Sequence, residues 1–386
     1  MRLKGRKIVL GVTGSISAVE SFRIARELKR KGAYVIAVLT QEARKFVTPE
    51  SMKFACDEVL IDFDESNHVK LLGLEGEANL LLIAPATANT ISKIAYGIAD
   101  TNVTLMALTA LGSGKPILIA PAMHLAMYRA IESNINALKS KGVEIVEPKI
   151  EEGKAKLAEV EKIVLHVERT LSSDEFRGKR VIVTSGPTFE FIDPIRFISN
   201  RSSGRMGNEL ALEFWRRKAE VILISSKPVE LNLPNFKVVR VVSVRDMLNA
   251  VLNEIDSCDL FVCASAPSDF IIERVESKIK TTEELILRFR QAPKIIKEVR
   301  KVYNGHIIGF KAETGLSDEE LVKIAKDKME EDKLEMVVAN DVKERGMGTV
   351  DTKVVVVTPN KVEWIEGMKD YVARKIVDIY TEEYLH

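Results

Sequence analysis

The sequence predicts an α/β protein of two doubly wound domains, and three observations carry that expectation. Residues 7–12 (KIVLGV) form an apolar run that meets a Thr13-Gly14-Ser15 turn, then a helical pattern over 17–31, Gly32, and a second apolar run over 34–40. Strands this apolar belong to a parallel sheet buried on both faces. At Arg180 the pattern starts afresh with RVIVTSG, a strand and turn that open a second half much as the first half opens.

The remaining elements follow in order. Strands are predicted over 78–84, 116–120 and 143–146, with helical patterns over 91–97 and 126–141. The stretch 151–175 is charged and runs into Ser172-Ser173-Asp174-Glu175, which predicts an excursion of one helix and then a linker. The domains are therefore bounded at 1–170 and 177–386. In the second half a helix is expected over 204–218 and a strand over 221–225. Ser317-Asp318-Glu319-Glu320 is a capping box opening a helix that runs to about Asp332.

With 386 residues, the chain suffices for two or three domains of roughly 150 residues. Its 57 basic and 56 acidic residues leave a formal charge of +1, which does not predict nucleic-acid or membrane-surface binding. Three cysteines (Cys56, Cys258, Cys263) show neither a disulfide framework nor metal spacing, so a cytoplasmic location is expected. The first residues run directly into a strand without a signal-peptide pattern, and no apolar run reaches membrane-spanning length.

Gly11-Val12-Thr13-Gly14-Ser15-Ile16-Ser17 lies between a strand and a helix, where outward backbone N–H groups and the helix dipole suit a phosphate. An ordinary tight βα turn fits these residues equally well. No GxGxxG is present, which favours a mononucleotide over a dinucleotide. Ala84-Pro85-Ala86-Thr87-Ala88-Asn89-Thr90 reads by itself as a strand end with an N-cap. Combined with the run 91–100 (ISKIAYGIAD) and with Pro121-Ala122-Met123-His124-Leu125-Ala126-Met127, it resembles the homo-oligomeric flavin-containing cysteine decarboxylases over residues 6–165.

That resemblance implies a flavodoxin-like domain that binds FMN through Gly14, Ser15, Ser17, Thr40, Ala86, Thr87 and Asn89. It implies oxidation of a cysteinyl thiol by FMN, which lets the neighbouring carboxylate leave as carbon dioxide. The family's catalytic histidine, followed by an aliphatic residue, matches His68-Val69, although a lone histidine in a polar stretch is ordinarily solvated. The family's PxMNxxM segment covers the substrate. Here His124 stands where the family has Asn, in the position that holds the carboxylate, and Met127 ends the segment. The family flap usually carries a cysteine that protonates the product; here the flap reads EEGKAKLA over 151–158 and has none. Lys154 and Lys156 are the candidate substitutes, or they bind phosphate or face solvent.

In the second half, hydroxyls and glycines cluster around Thr184-Ser185-Gly186-Pro187-Thr188 and the run 193–207 (DPIRFISNRSSGRMG). A phosphorylated ligand and a long polar loop with a helix cap explain them equally well. The string resembles the DPVRxISNxSSGKMG signature of phosphopantothenate–cysteine ligases, with Arg205 in place of the usual Lys, and the resemblance covers residues 177–386. It implies a Rossmann-like domain in which Asn200 contacts an acyl-nucleotide intermediate and Lys278 serves the second half-reaction. Arg196, Ser202 and Ser203 come from the signature as substrate contacts, and Cys263, Ala264, Ser265 and Asp269 from the segment CASAPSD. Pro293, Lys294, Ile295, Ile296 and Phe310 match the base pocket, and Lys328 a triphosphate-contacting lysine. The family's second lysine on that helix falls nearest Asp332–Lys333 and is left unassigned.

Together the resemblances imply a bifunctional coenzyme A biosynthesis enzyme. It would join cysteine to 4'-phosphopantothenate with CTP and Mg²⁺, then decarboxylate the product with FMN. They also imply decarboxylase trimers and ligase dimers that combine into a dodecamer. Two alternatives stay open for the first half: a prenyl-FMN-forming relative, and a flavin-binding regulatory module. Release of carbon dioxide from phosphopantothenoylcysteine separates all three.

Overall fold

Alternation of buried strands with helices begins at the first residues of the computed structural model, which describes residues 1–61, 65–280, 285–343 and 345–385. The chain divides into two compact units, Met1–Ser172 and Ser173–His386. The first unit opens with β1 (Lys7–Val12), α1 (Ser21–Arg30), β2 (Tyr34–Leu39), α2 (Pro49–Met52), β3 (Glu58–Leu60), α3 (Glu65–Leu72) and β4 (Leu80–Ala86). There follow α4 (Ala88–Ala95), α5 (Asn102–Ser113), β5 (Ile117–Pro121), β6 (Met123–His124), α6 (Leu125–Ala130) and α7 (Glu132–Ser140). It closes with β7 (Glu144–Ile145), β8 (Lys149–Glu151), β9 (Lys154–Lys156) and α8 (Val160–Thr170).

The first sheet runs β3-β2-β1-β4-β5-β7 with every pair parallel. Without the short edge strand β3 this is the 2-1-3-4-5 order of flavodoxin-like folds. The apolar run of β1 splits between two cores, with Ile8, Leu10 and Val12 on one face and Val9 on the other. The chain turns to opposite sides after β1 and after β4, so a crevice opens at their carboxyl ends.

Three expectations change here. The helix expected over 126–141 is two helices, broken at Ile131 with φ −104° and ψ 14°. The pattern over 17–31 starts with a 3₁₀ turn, Ile16–Glu20, before α1. The charged stretch after residue 151 is no excursion: β8 and β9 join β6 in a small antiparallel sheet, and α8 packs on α1. Val160, Ile163, Val164 and Val167 give α8 an apolar stripe that enters the core shared with β1. The charges occupy its other face and mask the stripe in the composition.

The second unit contains β10 (Arg180–Ser185), β11 (Phe189–Phe191), β12 (Phe197–Ser199), α9 (Arg205–Arg216), β13 (Glu220–Ser225), β14 (Phe236–Arg240) and α10 (Val244–Glu254). It continues through β15 (Leu260–Cys263), β16 (Phe270–Ile272), β17 (Phe289–Gln291), α11 (Ile295–Arg300), β18 (His306–Glu313) and α12 (Asp318–Glu331). Last come β19 (Met336–Asp341), β20 (Asp351–Val357), β21 (Val362–Met368) and α13 (Lys369–Tyr384). Its sheet runs β14-β13-β10-β15-β18-β19 in parallel, the Rossmann order, and β20 and β21 extend it antiparallel. The Ser317–Glu320 capping box opens α12 as the sequence predicts.

Helix α9 lies close against β10. A Cβ on Gly207 would sit 2.7 Å from Ser185 Cβ and 2.9 Å from the Thr184 carbonyl oxygen. Gly207→Ala should therefore destabilise this unit by about 1–3 kcal/mol, read as a lowered denaturant midpoint. An unchanged midpoint would show that α9 can shift off β10 at no cost.

Candidate functional site

The crevice of the first unit is built around a buried hydroxyl. Thr13 Oγ1 donates to the Pro85 carbonyl (2.8 Å) and accepts from the Thr87 amide (3.0 Å), which joins the turn after β1 to the end of β4. Gly14 is required by close approach, since a Cβ there would meet Glu42 Cβ at 2.4 Å. Thr40 is buried at the end of β2; its amide donates to Val12 O and its hydroxyl accepts from the Ala43 amide. Ser15 caps the 3₁₀ turn by accepting from the Ser17 amide. Thr87 caps α4 by accepting from the Thr90 amide, so the first turn of α4, with Ala88 and exposed Asn89, keeps orphan backbone donors. Hydroxyls, orphan amides and a helix N-terminus form a donor set that fits the phosphate of a mononucleotide.

The segment after β5 closes on the same crevice. The Ala122 amide donates to the buried Ala86 carbonyl (3.0 Å), and the Leu125 amide to Gly153 O in the β8–β9 hairpin (3.0 Å). His124 caps α6, its Nδ1 accepting from the Ala126 amide (3.3 Å), so a neutral ring carries its proton on Nε2. Met127 is exposed on α6. His124 lies opposite Lys154 in the β6–β9 register. Lys156 is held by Glu152 and Glu151, whose carboxylates push its pKa up.

His68 sits on helix α3 rather than in a loop. Its Nδ1 lies 2.7 Å from Thr109 Oγ1, and that hydroxyl donates to Leu105 O (3.0 Å). Thr109 thus has a lone pair to offer, which makes His68 Nδ1 the donor and leaves Nε2 free to accept a proton. Val103 marks the level of Gly11 on α5, with a methyl 3.1 Å from where a Gly11 Cβ would be. Thr109 lies roughly 9 Å farther along the helix, toward the amino ends of the strands.

In the second unit a cleft of about 820 Å³ opens beside β10, β15 and β18. Asn200, Ser202, Ser203, Cys263, Ala264, Ser265 and Asp269 line it, and so do Pro293, Lys294, Ile295, Ile296, Phe310 and Lys328. Asn200 Nδ2 donates to the carbonyls of Ala266 (3.1 Å) and Pro267 (3.0 Å). Ser265 donates to Thr184 Oγ1 (3.0 Å), and Thr188 Oγ1 accepts from the Ser268 amide (2.9 Å). Burial pushes the Cys263 thiol pKa up, which disfavours its thiolate. Lys328 is already ion-paired to Asp332 at 2.7 Å.

Two expected residues do not line the cleft. Arg196 is committed elsewhere: its Nε donates to Asp193 (3.0 Å) and its Nη2 to the Ile279 carbonyl (2.8 Å). The Ile279 amide returns a bond to Asp193 (3.2 Å), and the Val275 amide bonds to Ile192 O (2.9 Å). Arg196 therefore straps down the loop that carries the exposed Lys278, where the sequence suggested a substrate contact. Sequence reasoning also passed over Lys369, which lines the cleft although only 4 % exposed. Nothing local marks it, because burial alone sets it apart. Among the described residues no three His, Cys, Asp or Glu side chains gather to hold a metal.

Comparison with known proteins agrees with both units. The family described as Flavoprotein matches residues 1–172, and the DNA/pantothenate metabolism flavoprotein C-terminal domain matches residues 176–383. The chain is 46% identical over 369 residues to the coenzyme A biosynthesis bifunctional protein CoaBC of Thermococcus kodakarensis, covering 92% of this chain and 90% of that protein. It is 39% identical over 381 residues to the CoaBC protein of Methanocaldococcus jannaschii, covering 97% and 93%. A crystal structure of the C-terminal domain of a CoaBC protein is 32% identical, covers 54% of this chain and 97% of its own, and has a TM-score of 0.45.

The Arg196 guanidinium first, then the backbone amides of Arg196, Ile195 and Ile279, hold the Asp193 carboxyl well below the usual carboxylate range. A depressed carboxyl contributes stability above its unfolded pKa of roughly 3.9 and loses it as pH falls toward the folded value. Asp193→Asn should therefore lower the unfolding midpoint by a constant amount above about pH 5, with the gap to wild type closing below about pH 4. A gap independent of pH across that window would show that the charge on Asp193 does not hold the strap.

Proposed function

The chain belongs to the family of coenzyme A biosynthesis bifunctional proteins, and from that premise we propose an FMN-dependent phosphopantothenoylcysteine decarboxylase in residues 1–170 and a CTP-dependent phosphopantothenate–cysteine ligase in residues 177–386. The observation that carries the reading is the gathering of the ligase signature residues from the β12–α9 segment, β15, α11 and β18 into one cleft. The work is read as cytosolic; no described helix is long and apolar enough to cross a membrane.

In the ligase reading the carboxylate of 4'-phosphopantothenate attacks the α-phosphate of CTP, giving an acyl-cytidylate and pyrophosphate. The cysteine amine then attacks the acyl carbon and CMP leaves. Mg²⁺ enters as the chelate of the triphosphate, a part of the substrate. With its Nδ2 held by two carbonyls, Asn200 has its Oδ1 left to accept from the intermediate. Cationic side chains offset the charge that develops on phosphate. Lys278, on the loop strapped by Arg196, serves the second half-reaction.

In the decarboxylase reading the family supports a flavin, and the crevice donors Gly14, Ser15, Ser17, Thr40, Ala86, Thr87 and Asn89 would hold it as FMN. The flavin supplies reversible oxidation of the substrate thiol when bound. His68 Nε2 takes the thiol proton, and the Nε2–H of His124 donates to the substrate carboxylate. With Lys156 engaged by two glutamates, Lys154, paired across from His124, is the flap residue proposed to return a proton to the product. The offset of Thr109, the partner of His68, from the level of Gly11 supports a decarboxylase site completed by a second copy of the chain, as in the proposed trimer. Ligase dimers would join such trimers into a dodecamer.

Incubation with 4'-phosphopantothenate, cysteine, Mg²⁺ and either CTP or ATP, followed by mass analysis, tests the whole reading. CTP should support ligation better than ATP, with phosphopantothenoylcysteine appearing first and 4'-phosphopantetheine after it. His68→Asn should keep the flavin and lower carbon dioxide release by about 10²–10⁴-fold; undiminished release would remove the base assignment. Asn200→Asp should cut ligation by about 10²-fold or more while supplied phosphopantothenoylcysteine is still decarboxylated at the wild-type rate. Loss of both activities in a folded variant would contradict the separation of the two sites.

A further inference from the structure

Six cationic side chains line the cleft of the second unit: Arg205, Lys294, Lys297, Lys311, Lys328 and Lys369. Four already have a carboxylate. Lys294 pairs with Asp269, Lys297 with Glu331, Lys311 with Glu313 and Lys328 with Asp332. Among the described residues no carboxylate forms an ion pair with Arg205 or Lys369. The positive charge left for a ligand therefore lies at one corner, where the start of α9 meets the start of α13.

Lys369 is the unusual member. It is 4 % exposed, yet it lines the cleft. Its ammonium has three donors, and the bond it makes is to the Gly346 carbonyl at 2.6 Å. A buried cation held by one neutral acceptor is costly unless an anion completes its shell. Burial first and the charge of Arg205 second push its pKa down, while Asp351 opposes them. The same wall carries Ser202 and Ser203 just before α9.

Resting on the ligase reading of this cleft, we infer that Arg205 and Lys369 form its phosphate-binding subsite, with Lys369 as the buried anchor and Arg205 as the solvent-side partner. The ligand chemistry is a phosphate group. Two substrates of the proposed reaction could present it, the nucleoside triphosphate and 4'-phosphopantothenate. The acid-paired lysines elsewhere in the cleft leave those regions near neutrality, so this corner sets which way round the phosphorylated ligand lies.

Titration calorimetry of the full chain with four probes separates the possibilities: CTP, cytidine, 4'-phosphopantothenate and pantothenate. Lys369→Met should weaken one phosphorylated ligand by about 10- to 100-fold and leave its dephosphorylated counterpart unchanged. Arg205→Met should weaken the same ligand, by a smaller factor. The ligand that responds identifies the source of the phosphate. Wild-type affinity in both variants, or equal losses for a ligand and its dephosphorylated form, overturns the inference; the second pattern would mean that Lys369 only tethers Gly346. Should Lys369→Met fail to fold, the exposed Arg205→Met decides alone. Wild-type protein that binds neither CTP nor 4'-phosphopantothenate overturns the ligase reading itself, and the inference with it.

Discussion

A threonine hydroxyl in each unit joins the turn after the first strand to the peptide beyond the neighbouring strand, and each crevice depends on that link. Thr13 bridges Pro85 and Thr87 in the first unit, and Thr188 accepts from Ser268 in the second, both hydroxyls being buried. The need is physical. At the switch point of a parallel sheet the two chains leave in opposite directions, and their last peptide groups lose the ladder that satisfied them. A side-chain hydroxyl can donate and accept at once, so it closes the gap without filling the crevice. Glycines then let the backbones approach: Gly14 against Glu42, and Gly207 against Ser185.

The ligase cleft shows how charge is handled once that frame is in place. A nucleotide site needs cations, but cations crowded in a partly dry cleft repel one another and lose hydration. Here acids from α12 and the loops compensate most of them, as Asp332 does for Lys328 and Asp269 for Lys294. Such pairs offset the repulsion among the lysines of the cleft. Lys369 and Arg205, without that compensation, keep a local field directed at a ligand.

The fold was legible where the sequence speaks in local patterns. Buried parallel strands write themselves as apolar runs, which is why β1 and β10 were read from residues 7–12 and 180–186, and a capping box announces α12. Helix α8 was expected as the helix of the charged stretch, but its packing was not legible: its charged face dominated the composition, while the stripe through Ile163, Val164 and Val167 decides where it packs. Of the candidate site the sequence offers a set of motif residues, and most of the ligase set lines one cleft. Partners were not legible. Sequence showed a positive charge at Arg196 but not that Asp193 and Ile279 use it, and it marked His68 without showing that Thr109 sets its tautomer. Lys369 carried no signal, because a lysine at a helix start is ordinary until the fold buries it.

The two sites therefore differ in what one chain can complete. In the second unit the cleft is lined by residues of β15, α11, β18 and α12 of one unit, with Asn200 and Ser265 each held by a hydrogen bond at its wall. In the first unit the crevice donors and His124 gather at the carboxyl end of the sheet, while His68 is held by Thr109 part-way down α5. A ring whose Nδ1–H is committed and whose Nε2 is left free is prepared to take a proton. In the proposed trimer that nitrogen would serve a neighbouring copy, whereas the cleft of the second unit draws its lining from one unit.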